Sequence, residues 1–252
     1  MPAIDWSSLH TVGFFFFGPF ALEHLLFVAI PTLILGGIAS LWVKRAYAKY
    51  SKMGNRQNVT GAEAAKVILR SAGIYDVRVE AVRGFLSDHY DPRGKTLRLS
   101  PENYSGTSIA AVGIAAHEAG HAMQHAQNYA PLSLRNMAVP MASIGSTFGY
   151  LAIVLGFFMG LGGPGKVIAL IGVTGIAAIA LFQLINLPVE FDASRRALQV
   201  LPEIGILNEQ ENAGARKVLT AAAMTYVAAT VAAIAELVFW LMHLGLIGGN
   251  SE

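Results

Sequence analysis

The stretch from Val167 to Val189, VIALIGVTGIAAIALFQLINLPV, contains no charged side chain. About 20 apolar residues in a helix cross the ~30 Å hydrocarbon core of a bilayer. Similar stretches run from about 20 to 43, 137 to 161 and 222 to 247. Apolar residues make up 54% of the 252-residue chain and charged residues only 13%, which argues against an ordinary soluble enzyme or a disordered chain. The sequence therefore predicts a mainly helical membrane protein with a bundle of four spans.

The positive charges indicate which side of the membrane the connecting segments occupy. Of the 18 lysines and arginines, 13 lie from Lys44 to Arg135, four lie from Arg195 to Lys217, and Lys166 is the remaining one. Four spans put both basic segments on one side, and the positive-inside rule makes that side cytoplasmic. We therefore expect a multi-pass protein of the cell inner (cytoplasmic) membrane with both termini outside. The net charge of +2 does not indicate a nucleic-acid partner.

Two features inside the spans are expected to hold the helices together. Glu236 is costly in a bilayer unless it is paired, and His24 and His243 are placed to form a buried polar cluster with it. Glycines at helical spacing, such as Gly145 with Gly149 and Gly156 with Gly160, allow helices to approach closely.

The segment between the first two spans has the composition of a small α+β region. Thr60 and Glu63 form a capping-box pattern before a helix over 62–70. Alternating residues predict a hairpin-like pair of strands over about 77–87 and 96–99, joined by turn formers in 88–94. A break over 101–106 precedes a helix over about 108–127, which Ser105, Thr107 or Ser108 can cap.

The last of these helices contains His117-Glu118-Ala119-Gly120-His121, an H-E-x-x-H pattern. Residues four apart lie on nearly the same helix face, so both imidazoles can converge on one metal ion. Glu118 points beside that ion, where it can take a proton from a water that zinc makes more acidic. Without cysteine in the chain, a thiolate zinc site is excluded.

A third ligand must come from another segment on the same side of the membrane. Asn186-Leu-Pro-Val-Glu190-Phe-Asp192 lies where the third span returns to that side, with Pro188 expected to terminate the helix. Either Glu190 or Asp192 would complete a two-His, one-carboxylate site, and the other could orient an imidazole. Arg195 could stabilise a developing oxyanion.

Other side chains near the motif are further candidates. His125 lies too far along the helix to share the ion with both histidines, so we expect it in a pocket or at the surface. His89 or Tyr90 could donate a hydrogen bond to the tetrahedral intermediate. Strand 96–99 could pair with an extended peptide substrate by edge addition.

Three segments together resemble one known family: His117–Gln124, Leu86–Pro92 and Leu187–Ser194. They are similar to the bacterial membrane-bound neutral zinc metallopeptidases, the YugP-like family. The resemblance covers nearly the whole chain and implies a gluzincin-type site with one zinc ion per chain, in which His117, His121 and Glu190 are ligands and Glu118 is the base. The site also resembles membrane gluzincins of the HtpX and prenyl-protein protease type, but those carry Asp four residues after the ligand Glu, where this chain has Ser194.

The sequence therefore predicts a four-span anchor with a small cytoplasmic α+β, zincin-like catalytic region. The expected activity is that of a zinc metalloendopeptidase that cleaves peptides or proteins, membrane proteins among them, at the cytoplasmic membrane surface. The alternatives are an intramembrane site-2-type protease, which the short apolar run 109–116 disfavours, and a non-enzymatic metal-binding or transport protein. The expected segments are 1–43 with the first span, the catalytic region 44–135, the span hairpin 137–189, the ligand-bearing segment 190–221, and the last span with its tail, 222–252.

Overall fold

The computed structural model describes residues 21–248, and these are mainly helical. Residues 1–20 of the expected N-terminal segment, and residues 249–252, lie outside the described part. The elements in chain order are α1 (Ala21–Tyr50, with a π-helical turn at Leu25–Ala29), α2 (Gly61–Ser71), β1 (Arg78–Ala81), β2 (His89–Asp91), β3 (Thr96–Leu99), α3 (Pro101–Ser105), α4 (Ile109–Ala126), α5 (Ala130–Phe158), α6 (Pro164–Glu203) and α7 (Glu209–His243).

Four of these helices, α1, α5, α6 and α7, are long and apolar enough to cross a membrane. The prediction of four helices that are long and apolar enough to span a membrane is therefore confirmed. The sequence predicts that the helix of the third span ends at Pro188. The helix instead continues to Glu203. Proline removes one backbone hydrogen bond, and burial of Val189, Ala193 and Ala197 after it compensates for that loss.

The chain divides into two compact units. Within the described residues, the first unit comprises 21–37, 138–183 and 228–248, and the second comprises 38–137 and 184–227. Each unit has its own cluster of buried apolar side chains: the first around Ile153 and Ile176, the second around Ile68, Leu97 and Leu99.

Glycines bring α5 and α6 into backbone contact in the first unit. A Cβ atom at Gly145 would lie 2.4 Å from the carbonyl oxygen of Gly175, and one at Gly172 would lie 2.6 Å from that of Gly149. The expectation that small residues serve close helix packing is confirmed here. Gly160 differs, because it follows the end of α5 with a φ of +79° and so belongs to the turn.

Carboxylate–imidazole pairs join α1 to α7 in the same unit. The Nε2 atom of His24 lies 2.8 Å from a carboxylate oxygen of Glu236, whose other oxygen accepts a 2.6 Å hydrogen bond from the indole of Trp240. The predicted partnership of Glu236 with His24 is confirmed. The imidazole of His243 lies 2.9 Å from Glu23, so the polar contact comprises two pairs.

The second unit contains a three-stranded sheet in the order β1-β3-β2. The predicted hairpin of 77–87 with 96–99 is wrong, because β1 pairs with β3 in parallel. The antiparallel partner of β3 is β2, in the stretch expected to be only a turn. The Asp91 carboxylate accepts backbone hydrogen bonds from Arg93 and Gly94, which confines the turn to the residues after β2. Because β3 is central, it has no free edge, and the expected addition of a peptide to strand 96–99 is also wrong.

Helix starts in the second unit follow the side-chain caps that the sequence contains. Thr60 and Glu63 form a complete capping box at α2. Of the three candidate caps for α4, Ser108 is the one whose hydroxyl accepts the backbone hydrogen bond of Ala111. The expected break over 101–106 instead holds the short helix α3, which Pro101 can begin because the first helical residue needs no backbone donor.

A Gly145→Ala substitution tests the backbone contact between α5 and α6. The added methyl group would force the two helices apart, at a cost of about 1–3 kcal/mol. We expect a clear fall in the thermal unfolding temperature of the purified protein in detergent. Gly37→Ala in α1 is the matched control, because a Cβ atom there meets nothing within 4 Å. Equal effects of the two substitutions would contradict the contact.

Candidate metal centre

Two helices of the second unit bring three potential ligands together. His117 and His121 lie one turn apart on α4, and Glu190 lies on α6. The Oε2 atom of Glu190 lies 3.3 Å from Nε2 of His117 and 3.7 Å from Nε2 of His121. One ligand atom from each of the three residues falls within 4.8 Å of the others. This cluster has the composition and spacing of a site for one metal ion.

Gly120 allows α6 to lie close enough to complete the cluster. A Cβ atom at this position would be 2.5 Å from the backbone carbonyl oxygen of Ala193, which lies three residues after Glu190. Gly120, which lies between the two histidines and has no side chain, therefore sets how near α6 can approach α4. In the H-E-x-x-H pattern, residue 120 is one of the two positions at which any residue type is allowed, so the sequence did not mark it.

The Glu190 carboxylate fits a ligand role better than a purely structural one. The residue is 3% exposed, and its Oε2 atom is buried without a hydrogen-bond partner. A buried carboxylate oxygen without a partner is costly, so an ion at this point would satisfy it. Donor atoms around a tetrahedral zinc ion lie roughly 3.4 Å apart, which matches the distances to both imidazoles. Two nitrogens and one oxygen are also a donor set that zinc accepts.

Gln124 holds the imidazole of His121 in one orientation. Its side-chain nitrogen donates to the backbone carbonyl of Val189 at 2.8 Å and to the Asp192 carboxylate at 2.9 Å. Its oxygen is then the atom that faces Nδ1 of His121, at 3.0 Å, and must accept a hydrogen bond. His121 therefore carries its proton on Nδ1, which leaves Nε2 with a lone pair directed at the cluster.

Asp192 supports the cluster through Gln124 and does not touch either imidazole. Its carboxylate also forms ion pairs with Arg195 and Arg196, which lie on the next turn of α6. Asp192 is 8% exposed, so these cations balance a buried charge. The carboxylate thus reaches His121 indirectly, through one buried amide.

Ser194 supports the other imidazole. Its hydroxyl lies 3.1 Å from Nδ1 of His117 and is largely buried. Ser194, the fourth residue after Glu190, is therefore in contact with an imidazole of the cluster. Because a hydroxyl is neutral, this partner of His117 carries no charge.

Glu118 faces a cleft of about 170 Å³ together with His117 and Glu190. Burial raises the pKa of Glu118 above its usual value, while the imidazoles of His117 and His121 act in the opposite direction. Two residues that sequence reasoning missed line the same cleft, Asp88 and Tyr226.

The two missed residues come from segments far apart in the chain. Asp88 accepts hydrogen bonds from the backbone and hydroxyl of Ser100 and from the Asn103 amide. Tyr226 on α7 lines the cleft together with Glu190. The turn-rich sequence around 88–94 could have pointed to Asp88. Nothing in the apolar sequence around Tyr226 marks it.

The remaining candidates lie outside the residues that line this cleft. His89 is exposed, and its Nδ1 atom lies 2.8 Å from the carbonyl of Ser87. The Tyr90 hydroxyl lies 2.8 Å from Nδ1 of His125. Burial raises the pKa of Tyr90 to about 12, so this hydroxyl is protonated at neutral pH. Arg195 lines a neighbouring cavity.

Comparisons with known proteins agree with this geometry. The family described as "Putative neutral zinc metallopeptidase" matches residues 25–245, a range that includes all three potential ligands. The chain is 43% identical over 217 residues to a Bacillus subtilis (strain 168) protein named "Putative membrane protease YugP", an alignment that covers 86% of this chain and 95% of that protein. No solved structure matches the chain.

A Gln124→Leu substitution tests the buried support of His121. It leaves the Val189 carbonyl and the Asp192 carboxylate without their shared donor, at a cost of about 1–3 kcal/mol. We expect a lower unfolding temperature in detergent. Gln57→Leu is the control, since that exposed side chain makes only a 3.4 Å hydrogen bond to Gly205. Equal stability of the two variants would contradict the role of Gln124.

Proposed function

The chain belongs to the neutral zinc metallopeptidase family, and from this premise we propose that it is a membrane-anchored zinc metalloendopeptidase of the gluzincin type. The observation that carries the proposal is the convergence of His117, His121 and Glu190 beside the buried Glu118. Peptide or protein chains are the substrate class, and one zinc ion per chain is the cofactor. In class terms it is a hydrolase of the EC 3.4.24 type.

His117, His121 and Glu190 would hold the zinc ion. When bound, zinc polarises a peptide carbonyl and makes a water molecule more acidic. Both histidines present Nε2 to the cluster. The Nδ1 atom of His117 contacts Ser194, and the Nδ1 atom of His121 contacts Gln124. The protein thereby presents ligands that are already oriented before the ion arrives.

Glu118 is the general base and then the general acid. It follows a ligand histidine directly on α4, so its carboxylate lies beside the ligands and faces the cleft. From there it takes a proton from the attacking water and delivers it to the nitrogen of the departing amine. Its burial supports this role, because a carboxylate whose pKa is raised holds the transferred proton more readily.

A substrate peptide has one free strand edge beside the cleft. The edge strand β2 pairs only with β3 among the described elements, and Leu86 and Asp88 just before it line the cleft. An extended peptide that adds to β2 would pass these residues on its way to Glu118. We therefore expect an extended peptide substrate to pair with β2 and not with strand 96–99.

The cytoplasmic side of the inner membrane is the proposed location of the site. All three potential ligands lie in the second compact unit, which also holds both basic segments, Lys44–Arg135 and Arg195–Lys217. Lys166 alone belongs to the first unit. The positive-inside rule supports placing the second unit in the cytoplasm.

The intramembrane alternative finds less support. The helix that carries both histidines, α4, is not among the four described helices that are long and apolar enough to span. The non-enzymatic alternative would need the three ligands but would not need Glu118, so it makes a different prediction for that residue.

Glu118→Gln tests the proposal directly. We expect zinc content to remain near one ion per chain, because the ligands are intact. Cleavage of casein or of a membrane-protein substrate should fall by about 100-fold or more, since the amide cannot accept the proton. Metal analysis by mass spectrometry and a peptide-release assay measure the two properties on the same preparation.

Two further variants complete this test. His117→Ala should lose both zinc and cleavage, because it removes a ligand. Glu209→Gln, an exposed glutamate in the first turn of α7, should retain both. Unchanged cleavage by Glu118→Gln would refute the protease proposal and favour a protein that only binds the metal.

Tyr226→Phe tests the positioning of Glu190. Tyr226 lines the cleft with Glu190, and we propose that its hydroxyl positions this ligand carboxylate. Loss of such a supporting group weakens metal binding by about 10-fold to 100-fold. Competition with a chelator measures the zinc affinity. Tyr75→Phe, at a residue that is 81% exposed, is the matched control. The same zinc affinity in both variants would contradict a positioning role for Tyr226.

A further inference from the structure

A second cavity, of about 370 Å³, lies between α6 and α7. Arg195 on α6 and Arg216 on α7 both line it. Apolar side chains, among them Phe191, Leu198 and Leu219, form much of the rest of its wall. The cavity therefore combines two cations with an apolar surface, which is the complement of an amphipathic anion.

Arg216 has charge to offer a ligand. The structure shows no hydrogen bond or ion pair for it within residues 21–248, and its side chain is exposed. Arg195 shares its guanidinium between Asp192 and Gln199 on its own helix. The lining of the cavity holds these two arginines and no aspartate or glutamate, so the cavity retains a net positive charge.

The position of the cavity along both helices places it where the apolar segments end. The uncharged run of α6 stops at Val189, two residues before Phe191, and the apolar run of α7 begins at about Ala222. Apart from Ala223, the residues that line the cavity thus follow one apolar run and precede the other. Phe191, just beyond the apolar run of α6, is nonetheless 44% exposed, so its apolar side chain is accessible to a ligand.

We propose that this cavity binds the phosphate headgroup of an anionic phospholipid. The two guanidinium groups suit a phosphate diester, since arginine offers several donors in a fixed plane. Phe191 and its apolar neighbours provide a surface for the first part of the acyl chains. Basic pockets between membrane helices on the cytoplasmic side are where such headgroups bind.

The lipid would lie against one wall of the metal centre. Ser194, Leu219 and Ala223 line both this cavity and the cleft that holds Glu118. Ser194 is also the partner of His117. The lipid site is nevertheless distinct from the proposed peptidase site, because neither arginine lines the cleft.

Arg216→Gln, compared with Lys217→Gln, tests the proposal on the full-length protein in neutral detergent. Both changes remove one positive charge from neighbouring exposed positions, but Lys217 does not line the cavity. Native mass spectrometry counts bound dioctanoyl phosphatidylglycerol and, separately, dioctanoyl phosphatidylcholine. We expect the unmodified protein to prefer phosphatidylglycerol, Arg216→Gln to bind it about tenfold more weakly, and Lys217→Gln to bind it as before.

Thr220→Glu provides an independent variant at an exposed position of the cavity wall. Its carboxylate should repel the phosphate and reduce phosphatidylglycerol binding as well. Equal binding of the two lipids, or equal losses in Arg216→Gln and Lys217→Gln, would overturn the proposal. Displacement of phosphatidylglycerol by a short acidic peptide at lower concentration than by inorganic phosphate would overturn it too, in favour of a substrate carboxylate in the cavity.

Discussion

Gly120 controls the distance between α4 and α6 because it has no side chain, and the candidate metal centre depends on that distance. The carbonyl of Ala193 lies where a Cβ atom of residue 120 would be. Only at this separation can the Glu190 carboxylate reach the Nε2 atoms of His117 and His121. A methyl group there would require one helix backbone to move, because a backbone carbonyl cannot rotate away as a side chain can.

Once the helices are this close, their polar groups must be satisfied internally. Gln124 is fully buried and links His121 to Asp192, while Ser194 meets His117. These contacts determine which ring nitrogen of His121 carries the proton. The same contacts that stabilise the packed helices therefore prepare the imidazoles for a metal ion.

The apolar helices of the first unit also combine close backbone contact with internally paired polar groups, but they use different residues. Glycines bring α5 and α6 together, and the carboxylate of Glu236 is paired with His24 and Trp240. A carboxylate in a bilayer is costly without such partners. Close backbone contact and internally paired polar groups thus recur in both compact units, although each unit uses its own side chains.

Hydropathy, charge placement and the H-E-x-x-H spacing were enough to predict four spans, the basic segments and three residues of the centre, because each depends on a local pattern. The family resemblance selected Glu190 over Asp192. The sequence did not reveal that β1 runs parallel to β3, that α6 continues past Pro188, or that Gln124 and Tyr226 join the centre. These depend on contacts between residues far apart in the chain, and only tertiary packing decides which distant side chains meet. Local periodicity reports which face of an element is buried, whereas the partner of that face is set by the whole fold.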